Sequence, residues 1–199
     1  MSGTDVVIVD SGGANLASLA FALERLGARS AVSSDAHTIS SAARVMLPGV
    51  GAAGDAMARL HNLRLVDCLR SLQQPLLGIC LGMQLLYTHS AEGNTACLGI
   101  IAGSVQRLHG GPVRPVPHMG WNCCRRVSAD PLLTNLGDSD YFYFVHGYAA
   151  AATPDTTAVT DYGVPFSAVV SHANFHGVQF HPERSSSAGA RVLANFLAL

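Results

Sequence analysis

The chain has 199 residues, a formal net charge of −1, 49% hydrophobic residues and only 13% Asp, Glu, Lys or Arg. These are the proportions of a single α/β domain, residues 1–199, with a sizeable core and a surface of low charge that a partner can cover. The charge balance gives no basis for nucleic-acid or anionic-membrane binding, and five irregularly spaced cysteines without a C-x-x-C pair point to free thiols in a reducing cytoplasm rather than to a zinc site or a redox motif.

Residues 1–5 carry no basic stretch, and the apolar run after them is short, so no secretory signal is expected. No segment approaches the ~18 apolar residues of a membrane span. Val6-Val7-Ile8-Val9 reads as a buried strand. Leu16, Leu19, Ala20, Leu23 and Leu26 fall at helical spacing, with Gly27 as the stop. Ser30 to Ser33 and Val45 to Leu47 read as strands, the latter running into Pro48-Gly49-Val50-Gly51. Ala56 to Leu72 has a helical pattern, and Pro75 to Ile79 reads as a fourth strand. This alternation predicts an α/β fold with a mixed, mostly parallel open sheet flanked by helices. After about residue 95 the texture changes. Gly99-Ile100-Ile101, Val105 to Leu108, Tyr141 to Val145, Ala158 to Thr160 and Ser167 to Val170 are short apolar runs with Gly, Pro and Asp between them. They predict a more antiparallel C-terminal half. Phe175 to Phe180 reads as a late strand, and Ala188 to Leu197 as the closing helix.

The chemistry concentrates at Gly78-Ile79-Cys80-Leu81-Gly82, between the fourth strand and a helix-like run, Met83 to Tyr87. A strand that turns sharply into a helix crowds the residues two before and two after the turn, where only small residues fit. That is the shape of a nucleophile elbow, with cysteine where lipases carry serine. A helix N-terminus would favour its thiolate. The alternative at this point is an inert cysteine between packing glycines. A nucleophilic cysteine needs a base, and the chain has nine histidines. His37, His61, His89 and His109 lie in polar contexts and read as surface residues. His172 and His176 flank a turn and read the same way. His118 and His146 have more unusual surroundings. His181 follows an apolar run and precedes Pro182-Glu183, so proline fixes how the imidazole and a carboxylate leave the strand together. Ligands in open α/β sheets bind beyond the carboxyl ends of strands. The segments at residues 48–51, Cys80 and His181 are therefore expected at one rim.

Gly78-Ile79-Cys80-Leu81-Gly82-Met83-Gln84 and Gly177-Val178-Gln179-Phe180-His181-Pro182-Glu183, about a hundred residues apart, closely resemble the two signature motifs of class I, triad-type glutamine amidotransferases, which have a flavodoxin-like sheet. Four further segments are similar to the glutaminase subunits that serve imidazole glycerol phosphate synthesis. They are Asp10 to Leu16, Leu47 to Gly51, Pro117-His118-Met119-Gly120-Trp121-Asn122 and Tyr141 to Tyr148.

The resemblance implies a Cys80-His181-Glu183 triad that hydrolyses L-glutamine through a γ-glutamyl thioester, with no cofactor and no metal. It implies oxyanion donors at the Leu81 N–H and at Val50 or Gly51, whose peptide can flip and so switch the site. It implies glutamine contacts at Gly49, Gln84, Tyr143, His146, Gly147 and Tyr148. The partner it implies is a (β/α)₈-barrel cyclase subunit, forming a heterodimer and receiving ammonia. Asn15, Met119, Trp121 and Arg184 are the interface residues it implies. Two departures stand out: Gly147 replaces a residue that usually bears a hydroxyl, and Ser11 with Gly13-Ala14 replaces the common tyrosine with Met-Gly. Three other readings stay open on sequence: a glutaminase for another synthase, an interaction scaffold with an unused cysteine, and a cysteine hydrolase of unrelated substrates.

Overall fold

A computed structural model describes residues 5–12 and 16–199. Its first half runs β1 (Val6–Val9), α1 (Leu16–Arg25), β2 (Ser30–Ser33), α2 (Ala36–Ser40), β3 (Val45–Gly49), α3 (Ala53–Asn62), α4 (Val66–Arg70), β4 (Leu76–Cys80) and α5 (Leu81–Gln84). Then follow β5 (Tyr87–Ser90), β6 (Thr95–Ala96), β7 (Ile101–Arg107), β8 (His118–Cys123), β9 (Arg125–Arg126), β10 (Tyr141–His146) and β11 (Tyr148–Ala150). The chain closes with β12 (Thr156–Asp161), β13 (Pro165–His172), β14 (Phe175–Val178) and α6 (Ser186–Leu197).

The main sheet has the strand order β2-β1-β3-β4-β14-β13-β12-β9. Neighbours from β2 to β14 are parallel. Those from β14 to β9 are antiparallel. The expected parallel half followed by an antiparallel half is therefore what forms. β1, β3 and β4 are buried along their whole length, as strands covered on both faces must be. Alternate residues feed two cores. Val6 and Ile8 pack with Leu19 and Leu23 of α1 and with Val192, Leu193 and Phe196 of α6. Val7 and Val9 pack with Met57 and Leu60 of α3 and Val66 and Leu69 of α4. Two small sheets, β10-β8 and β11-β7-β5-β6, complete the strands among the described residues.

Several elements differ from the sequence reading. The pattern from Ala56 to Leu72 is two helices, because Arg64 takes φ +56° and ends α3. The turn is sealed by Arg64 N–H donating to the His61 carbonyl and Leu65 N–H to that of Leu60, both at 2.9 Å, which satisfies two terminal carbonyls. The run from Met83 to Tyr87 is not helical throughout. α5 ends at Gln84, and Tyr87 begins a strand that pairs with Ile101 of β7. The two runs around residues 99–108 merge largely into β7. The late strand ends at Val178. His176 is not a surface residue: β14 lies between β4 and β13, so its imidazole is buried and meets Ser171 Oγ at 3.1 Å.

Candidate active site

The central strands β3, β4 and β14 are adjacent and parallel, so their carboxyl ends share one rim. Gly49 pairs with Cys80 in the register of β3 and β4. His181 follows three residues after the end of β14. A cavity of about 340 Å³ opens at this rim, lined by Cys80, His181, Glu183 and residues 48–51. That volume suits a small-molecule ligand.

Cys80 is the last residue of β4 and has φ 53°, ψ −111°. A non-glycine residue in such a region costs on the order of 1–3 kcal/mol and persists only where its surroundings enforce it. The glycines are part of that enforcement. A Cβ on Gly82 would sit 1.7 Å from the Leu47 carbonyl oxygen, and one on Gly78 would sit 2.8 Å from the Gly82 carbonyl. α5 can therefore lie against β3 and β4 only with glycine at both places. Leu81, at the first position of α5, has no intrahelical acceptor for its N–H.

His181 Nδ1 lies 2.9 Å from Glu183 Oε1, and both side chains are about 8% exposed. The carboxylate accepts, so Nδ1 carries the proton and Nε2 is the nitrogen left for Cys80. Burial disfavours a charged imidazole here. Hydrogen bonding and charge from Cys80 and Glu183 outweigh it and raise the His181 pKa to about 10. Ser185, which the sequence reading missed, holds this turn. Its hydroxyl donates to the His181 carbonyl at 2.7 Å and accepts from the Tyr143 N–H at 2.9 Å.

Gly49, Val50, Gly51 and Leu81 line the cavity. Gly51 has φ +88°, a conformation that glycine takes at little cost. Gln84, His146, Gly147 and Tyr148 also line the cavity. Gln84 spends both amide protons internally, on the Tyr148 carbonyl at 2.8 Å and on Gln179 Oε1 at 2.9 Å. Only its oxygen is left for a ligand. His146 Nδ1 also donates to the Tyr148 carbonyl at 2.8 Å, and His118 Nδ1 meets His146 Nε2 at 3.1 Å. His118 stacks on Tyr162 and Phe144. Burial pushes the pKa of His118 down to about 4 and that of His146 down to about 3. Both are therefore neutral imidazoles. Glu92 was also missed. It lines the cavity while one carboxylate oxygen accepts from the Ala53 N–H at 2.9 Å, which leaves the other free for a cation.

Tyr143, expected among the glutamine contacts, does not line the cavity. Its ring lies against Trp121, 6.0 Å between centroids, and under the Arg184 guanidinium at 5.0 Å. On β10 the side chains of Phe142, Phe144 and His146 are buried, and Tyr143 lies on the other face of the strand, opposite Trp121 of β8. Met119 and Trp121 on β8 are 63% and 53% exposed. Asn15 lies outside the described residues. Among the described residues, no group of three His, Cys, Asp or Glu side chains suited to a metal occurs, and no helix is long and apolar enough to cross a membrane.

A family profile described as glutamine amidotransferase class-I matches residues 7–199. The chain is 50% identical over 196 residues to imidazole glycerol phosphate synthase subunit HisH of Xylella fastidiosa, covering 98% of each chain. It is 52% identical, with the same coverage, to the protein of that name from Xanthomonas euvesicatoria. Among solved structures, a glutamine amidotransferase superposes with a TM-score of 0.76 at 18% identity, covering 98% of each chain. PurLQS from Thermotoga maritima superposes at 0.71 and 19%, covering 97% of each. At such identities these two superpositions speak to the fold alone.

Proposed function

The chain belongs to the class I glutamine amidotransferase family, and from that premise we propose that it is the glutaminase subunit of an imidazole glycerol phosphate synthase, releasing ammonia from L-glutamine for histidine biosynthesis. The observation that carries the reading is the meeting of a strained Cys80 with the hydrogen-bonded His181-Glu183 pair in one cavity.

In this reading the Cys80 sulfur attacks the side-chain carboxamide carbon of glutamine. The resulting oxyanion is met by the Leu81 N–H and by an N–H of the Val50–Gly51 segment, pre-aimed donors whose individual loss typically costs ~10²–10³ in turnover. As the C–N bond breaks, the proton on His181 Nε2 passes to the leaving nitrogen, giving ammonia and a γ-glutamyl thioester. Neutral His181 then takes a proton from water as the water attacks the thioester. Glutamate leaves, and the sulfur and imidazolium are restored. Glu183 keeps the imidazole in the required tautomer throughout. The free carboxylate oxygen of Glu92 suits the α-ammonium of glutamine, and Gln84 Oε1 suits an N–H of the same substrate.

A cyclase subunit is the partner, a (β/α)₈-barrel that takes up ammonia and yields imidazole glycerol phosphate and aminoimidazole carboxamide ribotide. Exposed Met119 and Trp121, beside the Tyr143-Arg184 stack, support this docking face. Apolar and aromatic side chains with an arginine are what interface centres favour. Glutamate release is to be measured with the cyclase and its ligand added stepwise. Low basal activity, strong stimulation by the loaded cyclase and loss of both in Cys80→Ala are expected. Stimulated activity that survives Cys80→Ala would remove the triad from the account.

A further inference from the structure

Gln179 has no part in the mechanism above, yet it is fully buried one residue past β14, beside the nucleophile. Its amide orientation follows from chemistry. The Tyr148 carbonyl oxygen can only accept hydrogen bonds. The Gln84 atom 2.8 Å from it must therefore be nitrogen, and that nitrogen spends its second proton on Gln179 at 2.9 Å. Gln179 must turn its oxygen to Gln84. Its Nε2 is then turned the other way, 3.7 Å from Cys80 Sγ. An amide whose two ends are ordinarily hard to tell apart is oriented by one main-chain carbonyl.

The sulfur has a second neighbour of opposite character. The Val145 carbonyl lies 3.8 Å away, where it accepts from an S–H and repels a thiolate. The Gln179 N–H does the reverse, since donors aimed at an ionised group favour ionisation. We propose that Gln179 is a catalytic residue that donates a hydrogen bond to the Cys80 thiolate, and that Gln84 and the Tyr148 carbonyl position its amide for that contact. The proposal rests on the reading of Cys80 as nucleophile. It also gives Gln84 a second task besides facing the ligand. The titratable groups that line the cavity with Cys80 are Glu92, His146, Tyr148, His181, Glu183 and Arg184. None of them is altered in the test.

The test is the pH dependence of Cys80 alkylation by iodoacetamide in the full chain, read on the Cys80 peptide by mass spectrometry so that the other four cysteines do not interfere. Gln179→Leu removes the donor. Gln84→Met leaves the donor but releases its orientation. The expected result is a midpoint about one pH unit higher in Gln179→Leu, as loss of a hydrogen bond to a charged group implies, and a smaller rise in Gln84→Met. A midpoint unchanged or lowered in folded Gln179→Leu overturns the proposal. If circular dichroism shows that Gln179→Leu does not fold, the same outcome in Gln84→Met overturns it. Glutamine hydrolysis is followed on the same samples. Activity that persists after complete Cys80 alkylation would instead defeat the nucleophile reading and is told apart in this way.

Discussion

Replacing Gly82 by alanine tests whether the elbow depends on close backbone contact. The added Cβ would lie 1.7 Å from the Leu47 oxygen and 2.8 Å from the Leu47 carbonyl carbon. Both are backbone atoms, so no side chain can swing aside. Ordinary contact at about 3.4 Å requires the two segments to part by roughly 1.7 Å. Leu47 pairs with Gly78 and Gly49 with Cys80, so the parting either opens the β3–β4 ladder or lifts α5, a single turn, off the sheet. Overpacking of a core costs typically about 1–3 kcal/mol, and rigid backbone on both sides puts this site at or above the top of that range. The same displacement carries the Leu81 N–H away from the Val50–Gly51 segment. A misplacement of ~1 Å at reacting groups can cost ~10²-fold in rate. Urea unfolding should therefore show a loss of about 3 kcal/mol, and the folded fraction should lose at least ~10²-fold in cyclase-stimulated glutaminase turnover. Gly137→Ala is the control, since its Cβ would meet only Ser139 Oγ at 3.9 Å. Wild-type midpoint and turnover in Gly82→Ala would refute the steric account of the elbow.

His118 and His146 predict a sensitivity to acid. Their folded pKa values of about 4 and about 3 lie below the ~6.5 of an unfolded chain. The unfolded state thus binds more protons as pH falls below 6.5, and stability present above that pH is lost on the way to 4, by about 1.4 kcal/mol per pH unit for each imidazole. His181, whose folded pKa is raised to about 10, stays protonated in the folded state, and its contribution changes little between pH 6 and 5, where the unfolded imidazole is mostly protonated as well. In urea titrations between pH 6 and 5, His118→Gln should reduce the slope by about one imidazole's share; an unchanged slope would contradict the neutral-pair assignment. At Gly147 a Cβ meets only Val116 Cγ1, at 3.7 Å, so Gly147→Ser should fold normally. Its hydroxyl at the cavity wall should lower KM for glutamine by up to ~10-fold, and a KM equal to or above that of the parent would exclude a contact there. Trp121→Ala should weaken cyclase binding by about 30-fold, as removal of an aromatic anchor does; calorimetric titration with an unchanged Kd would place the docking face elsewhere.

Much of the architecture is legible because it is local. Val6 to Val9, Val45 to Leu47 and Leu76 to Ile79 are unbroken apolar runs, which central parallel strands require. The unread features depend on distant partners or on conformations without a residue signal. Arg64 ends α3 in a left-handed turn that glycine or asparagine would have announced. Tyr87 leaves the helical pattern because β7, fourteen residues on, takes it into a sheet. His176 is buried because β14 is inserted between β13 and β4, a strand about a hundred residues earlier in the chain. The catalytic motifs stand out because steric and chemical demands restrict them to glycine, cysteine, histidine and glutamate. Ser185 and Glu92 are ordinary polar residues in sequence, and only their partners in space mark them; Gln179 lies inside the second motif, but its contact with Cys80 shows only in the fold. Tyr143 sits in the right segment, but its face of β10 is set by register.

Cys80 as the residue acylated by glutamine, and the cyclase as what governs this step, are tested together by acid-quenching the protein during turnover with glutamine and examining its cysteine peptides by mass spectrometry. A γ-glutamyl adduct on the Cys80 peptide, scarce with the subunit alone and abundant once the loaded cyclase is added, is the predicted result. An adduct on Cys68, Cys97, Cys123 or Cys124, or steady glutamate release with the Cys80 peptide unmodified, would contradict it.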